Sequence, residues 1–214
     1  MTRKIESWSG DIYQNGENLG EKYENLKGRE LVIVGAAVLD IGLAHLVEKK
    51  LSRINEVEAF LGLNDTGMAP LGTFGSRIQA SLLLGLINQD EAIAFRAIKS
   101  IRNAFAHKVN TSFKTDKVHI EINKLIPKFS EFVIEHGTEE KKEERRKKLK
   151  FFENNYVDEM VGQNIFRITI CSMQIVIDER ISSTQSVDDD KEMHKKVRDV
   201  FENIKIIFKK KSAV

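Results

Sequence analysis

The chain has 214 residues, of which 41% are hydrophobic and 31% charged, with 34 lysines and arginines against 32 acidic residues. This is the composition of an ordinary soluble globular protein, and a chain of this length can bury a core without disulfides. Cys171 is the only cysteine, which excludes an internal disulfide and favours a reducing, cytoplasmic setting.

The first 27 residues are polar and predict an N-terminal arm or a short helix without the apolar core of a signal peptide. Residues 29–53 follow a helical pattern that is apolar on most sides, which predicts a central, buried helix. Its apolar run, residues 31–47, is interrupted by Asp40 and His45 and is shorter than the about 20 residues that span a membrane. We therefore expect a cytoplasmic protein without membrane contact.

Two helices are predicted next, each with a recognisable start. Turn residues dominate positions 62–72 and predict a loop. Thr73 can cap a helix that ends near residues 86–87. Residues 88–91 have the character of a capping box, and the helix that they begin runs to about His107.

The second half of the chain has a less regular pattern. Residues 109–122 alternate loosely and predict a short extended segment, and residues 121–136 predict a helix with Pro127 near its start or at a kink. A long helical stretch follows to about Ser182. Apolar residues then recur at helical spacing in residues 193–208 and predict a terminal amphipathic helix that packs on the bundle or on a second subunit.

These elements predict an all-α helical bundle. We divide it into an N-terminal arm (1–27), a helical domain (28–182), and a C-terminal amphipathic helix with a basic tail (183–214). Basic runs at 141–150 and 209–211 are either solvated helix faces or nucleic-acid contacts. No histidine or cysteine spacing typical of a metal site and no Walker-type glycine loop occurs, so we predict no metal and no cofactor.

The segment 101–107 reads Ile-Arg-Asn-Ala-Phe-Ala-His and places Arg102, Asn103 and His107 within about one and a half helical turns. Asn103 and His107 share a helix face, whereas Arg102 lies about 140° around the helix from His107. One helix therefore cannot aim both groups at a single phosphate. Two copies that meet around a twofold axis can do so, and we expect a homodimer.

These three side chains suit RNA cleavage without a metal. His107 can accept or donate a proton near neutral pH, and Arg102 can stabilise charge on phosphoryl oxygens. Asn103 can orient the imidazole or hold the scissile phosphate. The alternatives are structural: His107 is only a helix C-terminal cap, and Arg102 only pairs with a carboxylate.

The pattern Arg102-Asn103-x-x-x-His107 resembles the motif of HEPN-superfamily endoribonucleases. The resemblance implies a helical bundle that dimerises around the motif, with the Arg and the His catalytic and the residue after the Arg assisting. It further implies RNA as the substrate and products with a 2′,3′-cyclic phosphate and a 5′-hydroxyl. Such proteins serve as toxins or in antiviral defence, often held in check by an antitoxin partner.

A longer part of the chain is similar to the mannitol operon repressor (MltR-like) family, through residues 70–78, 85–88 and 101–107. This similarity implies a non-enzymatic transcriptional regulator. Because no helix-turn-helix is evident, such a regulator would act through a protein partner. A third hypothesis is a degenerate HEPN module that binds RNA without cutting it.

Arg77, on an otherwise apolar predicted helix, is a further site candidate together with Asp40. Arg77 either reaches Asp40 or lines the same groove as Arg102. The structural alternative is a buried strut in which Arg77 and Asp40 pair with each other.

Overall fold

The computed structural model describes residues 23–51, 56–62, 69–128 and 158–184, with isolated helical positions at 139, 143 and 147. Over these residues the chain forms helices joined by turns and bends, without a strand, which confirms the all-α prediction. The helices are α1 (Gly28–Lys50), α2 (Glu56–Leu61), α3 (Phe74–Leu83), α4 (Gln89–His107), α5 (Asp116–Asn123) and α6 (Glu159–Ser183).

Helices α1 and α6 form the centre of the bundle and run parallel. The backbone N–H of Gly28 donates a 2.7 Å hydrogen bond to the side-chain oxygen of Gln163. Seven residues further along each helix, Gly35 lies against Ile170, and a Cβ at Gly35 would be 3.2 Å from an Ile170 side-chain carbon. The equal spacing of these two contacts fixes the parallel register, and the predicted central helix is confirmed.

Helices α3 and α4 form an antiparallel hairpin beside this pair. The rings of Phe74 and Phe95 pack edge to face at 6.3 Å. Arg96 donates to the side chain of Gln79 over 3.3 Å, whereas Lys99, further along α4, lies against Gly75, earlier on α3. Arg180, near the end of α6, donates to Glu91 in the first turn of α4. Arg29, at the start of α1, donates to the Phe105 carbonyl in the last turn of α4. Helix α4 therefore runs antiparallel to both central helices.

Both predicted helix starts are confirmed. The Thr73 hydroxyl accepts from the Ser76 backbone N–H at 3.1 Å, and the Ser76 side chain closes the capping box on Thr73. At α4, Asn88 accepts from the Glu91 N–H at 2.9 Å while Glu91 accepts from the Asn88 N–H at 2.8 Å. These four bonds satisfy amide groups that the first turns of the helices leave unpaired.

The predicted extended segment at 109–122 is wrong, because its second half is helix α5. Val118 and Ile122 are buried and lie one helical turn apart, whereas Ile120 between them is 58% exposed. Apolar residues at alternate positions are typical of a strand, but here only the outer two of the three face the core, as they can in a helix. Helix α3 also ends earlier than predicted, at Leu83, ahead of Gly85 in the left-handed region at φ 67°.

The predicted helical stretch up to Ser182 is not continuous either. Asp158 has extended backbone angles, and its carboxylate accepts from the Val161 N–H at 2.8 Å, so a new helix begins at Glu159. Asp158 is thus an N-cap that the sequence analysis did not identify. The end of this helix at Ser183 agrees with the prediction to one residue.

Several predicted features lie outside the described residues: residues 1–22 of the N-terminal arm, most of the basic run 141–150, the terminal helix 193–208 and the basic run 209–211. Tyr23, which the prediction assigns to the arm, is 2% exposed, and its hydroxyl donates to Gln174 at 3.0 Å.

Helices α1 and α6 are long and apolar enough to cross a membrane by length and composition alone. In α1, 61% of the apolar window is buried inside the protein, and in α6 50% is buried. Because these two helices pack on each other as core helices, their apolar character is weak evidence for a membrane span.

Candidate functional site

The predicted Arg-Asn-x-x-x-His segment forms the last two turns of α4. The inner side of these turns is anchored by Ile101 and Phe105, which are 0% and 1% exposed, and the ring of Phe105 packs 5.2 Å from that of Phe113. On the outer side, Arg102 and His107 are exposed and Asn103 is partly exposed. The apolar side of this segment is therefore packed into the core, and its polar side faces solvent.

Arg102 and Asn103 contact each other directly. The guanidinium Nη1 of Arg102 donates to the side-chain oxygen of Asn103 at 3.1 Å. Among the described residues no carboxylate lies within ion-pair distance of Arg102. The Asn103 side chain thus orients the guanidinium, while most donors of Arg102 remain available to a phosphate.

Arg77 and Asp40 form the buried strut that was the structural alternative. Arg77 Nη1 donates to Asp40 at 2.7 Å, Nε donates to the Leu71 carbonyl at 2.9 Å, and Nη2 donates to the Leu61 carbonyl at 2.7 Å. The Arg77 side chain is only 7% exposed. Its guanidinium ties α1, the end of α2 and the turn before α3 together, so it does not line a groove open to solvent.

Asp40 is the acidic partner in this strut. Burial raises the pKa of Asp40 above the usual value for an aspartate, while the charges of Arg77 and Arg102 and the hydrogen bond from Arg77 oppose that rise. Arg77 thus pairs with Asp40 in the interior, whereas Arg102 contacts Asn103 on the exposed side of α4. Among the described residues no hydrogen bond or ion pair joins these two pairs.

His107 is not joined to either pair. It lies in the last turn of α4, and no hydrogen bond or ion pair within the described part of the chain links its imidazole to the other four residues. The separation follows from helix geometry, since Arg102 and His107 point about 140° apart. Within one protomer, the proton-transfer group and the charge-stabilising group face different directions.

The end of α4 is bound by Arg29, a residue that the sequence analysis missed. Its Nη1 donates to the Phe105 carbonyl, and its Nη2 donates to the carbonyls of Lys108 and Val109 at 2.8 and 2.9 Å. Arg29 thus fills the capping role that was considered for His107, and the His107 imidazole is left exposed. No local pattern could reveal this contact, because the partners are 76 to 80 residues apart.

No known protein family, characterised protein or solved structure shows a significant match to this chain. Over the described residues, no group of three or more His, Cys, Asp and Glu side chains could hold a metal ion. The site offers a solvent-facing guanidinium with an orienting amide and, one turn further along, a solvent-facing imidazole. Such groups can bind an anion and exchange a proton with it.

Proposed function

We propose that the chain is a metal-independent, HEPN-like endoribonuclease that is active as a homodimer, of the toxin or antiviral-defence type. The observation that supports this most directly is the exposure of Arg102 and His107 on a helix whose inner side is fixed in the core. A structural role for His107 is less favoured because Arg29 already binds the carbonyls at that helix end.

In the proposed reaction, the 2′-oxygen of a ribose forms a bond to the adjacent phosphorus while its proton passes to the imidazole of His107. The bond from phosphorus to the 5′-oxygen breaks, and the leaving oxygen takes up a proton from water, whose hydroxide is neutralised by the proton that His107 accepted. Arg102, oriented by Asn103, stabilises the negative charge that develops on the phosphoryl oxygens. The products are a 2′,3′-cyclic phosphate and a 5′-hydroxyl.

A homodimer completes this scheme. Because Arg102 and His107 diverge on α4, the Arg102 of one protomer and the His107 of its partner would meet at one phosphate across a twofold axis. Asp40 and Arg77 have a supporting role in the proposal: they tie α1 to the turn before α3, and α3 in turn contacts α4 through Gln79 and Arg96.

The test is cleavage of single-stranded RNA by the purified full-length chain in the presence of EDTA, with the 3′ ends of the products analysed for a cyclic phosphate. We expect His107→Ala and Arg102→Ala each to lower the rate at least about a hundredfold, the usual contribution of a proton-transfer or charge-stabilising group. His119→Ala, a histidine on α5, is the matched control and should cleave normally. Equal rates for the parent chain and His107→Ala would contradict the proposal.

A second candidate function, an MltR-like regulator that binds a protein partner, is favoured by exposed apolar residues around the turn between α3 and α4. Leu83, Leu84 and Ile93 are 77%, 39% and 40% exposed, and such residues are typical of protein-binding surfaces when they cluster. If the parent chain cuts no RNA, and if Leu83→Glu abolishes its effect on transcription while His107→Ala does not, the regulator is the better description. Tight binding of RNA that stays intact would instead indicate the degenerate HEPN module.

A further inference from the structure

Three cations follow one another at every third position of α4 and end at the proposed catalytic arginine. These residues, Arg96, Lys99 and Arg102, we call the α4 cation row. Residues three apart are surface neighbours on a helix, and each step along the row rises about 4.5 Å along the axis. Arg96 and Arg102 are exposed and Lys99 is partly exposed, so the row is open to solvent.

Among the described residues, no carboxylate is paired with this row. Between Glu91 and Asp116 the chain contains no acidic residue, and α3, which packs beside the row, has none either. Glu91 is bound by Arg180 at the far end of α4, and Asp40 is paired with Arg77. Within the described residues, none of the three cations forms an ion pair with a carboxylate.

This arrangement is unfavourable for the free protein. Like charges one turn apart on a helix cost a few tenths of a kcal/mol for each pair. The ammonium of Lys99 also lies directly over Gly75, where a Cβ would be 2.6 Å from its nitrogen. Gly75 is in the first turn of α3, which is the positive end of that helix dipole. An external anion would relieve both repulsions.

We infer that the α4 cation row binds the phosphate backbone of a single-stranded RNA, with Arg96 and Lys99 holding phosphates away from the one that is cut. This inference rests on the proposed function and extends it by assigning the strand a path along α4. A single oblique row can follow one flexible backbone, whereas a duplex presents two backbones across a groove. The charge complementarity of an unpaired cation row and a polyanion is the basis of the assignment.

The experiment measures binding rather than cleavage. A fluorescein-labelled single-stranded RNA of mixed sequence is titrated with the full-length His107→Ala protein, and anisotropy is recorded over a series of KCl concentrations. Arg96→Gln with Lys99→Gln, added to this background, should weaken binding severalfold. It should also make the plot of log affinity against log salt shallower by about 1.4, which is about 0.7 for each lost phosphate contact.

Lys49→Gln is the matched control, because Lys49 is an exposed lysine in the last turn of α1. Thermal unfolding of all variants shows whether each remains folded. The cation row is overturned if the salt slope is the same with and without Arg96 and Lys99, or if Lys49→Gln changes the slope as much. The nuclease proposal then still stands if cleavage depends on Arg102 and His107. Preference for duplex RNA with an unchanged dependence on the row overturns the single-strand assignment. Absence of both binding and cleavage by the parent chain overturns both proposals.

Discussion

Asp178 shows how one half-buried group can make the stability of the whole chain depend on pH. Burial on α6 raises the pKa of this carboxyl from 3.8 to about 6. The folded state therefore holds its proton more tightly than the unfolded chain does. The contribution of Asp178 to the free energy of unfolding is fully present below about pH 4 and is lost as the pH rises to about 6. Above that pH the contribution of Asp178 changes no further.

We expect Asp178→Asn, which imitates the protonated carboxyl, to match the parent chain in stability below about pH 4. Above pH 6.5 the variant should be more stable by about 1 kcal/mol, a figure reduced from the full shift because the group is partly solvated. Urea unfolding at a series of pH values measures the difference. Asp116→Asn, which removes an exposed carboxylate from α5, is the control. A difference that is independent of pH, or that is the same in both variants, would contradict this account.

At the scale of elements, the end of α4 depends on a contact with the start of α1. Arg29 binds carbonyls on both sides of His107, and hydrogen bonds to a charged donor are stronger than neutral ones. We expect Arg29→Ala to cost about 1 kcal/mol of stability and to speed amide hydrogen exchange at the end of α4. If the nuclease proposal holds, kcat should fall more than KM rises, because the His107 imidazole loses its position while the surface that binds the RNA is kept.

Arg29→Lys should restore part of the stability and part of kcat, because an ammonium keeps the charge but cannot span three carbonyls. Lys27→Ala removes an exposed cation two residues away and is the control for charge alone. Unchanged exchange at residues 105–110 in Arg29→Ala would show that the helix end does not need this contact.

The elements also show how far the sequence predicts the fold. Local chemistry was sufficient for the starts of α3 and α4, since Thr73 and Asn88 each form a capping box with the residue three positions on. Local chemistry was insufficient for α5, where Val118 and Ile122 fit a strand and a helix equally well. Which of the two patterns forms depends on the neighbouring helices, and that information is not local.

The candidate site, too, could be predicted from the sequence only in part. The exposed side of α4 and the divergence of Arg102 from His107 follow from the helical period alone, so the sequence predicts them. The pairing of Arg77 with Asp40, 37 positions apart, was one of the alternatives that the sequence left open, whereas nothing in it indicated the contacts of Arg29 with the end of α4, 76 to 80 positions away. Such contacts depend on how the helices are arranged, which a single sequence does not specify.

For the whole molecule, the central question is whether an active site forms within one protomer or between two. Parallel α1 and α6 with antiparallel α4 fix the outer side of α4 within a protomer, and that side points Arg102 and His107 in different directions. A site that needs both groups at one phosphate must therefore combine two chains, and closed twofold symmetry is the commonest way to do so.

If the nuclease proposal holds, two inactive variants should complement each other. Arg102→Ala keeps its imidazole and His107→Ala keeps its guanidinium, so a mixed dimer contains one complete pair contributed by opposite chains. If the proteins are mixed in equal amounts and allowed to exchange subunits, half of the dimers are mixed and each has one of two sites intact. We expect about a quarter of the parental RNA cleavage. A mixture as inactive as its components, with subunit exchange demonstrated by differently tagged chains, would show that the two groups do not act across a dimer.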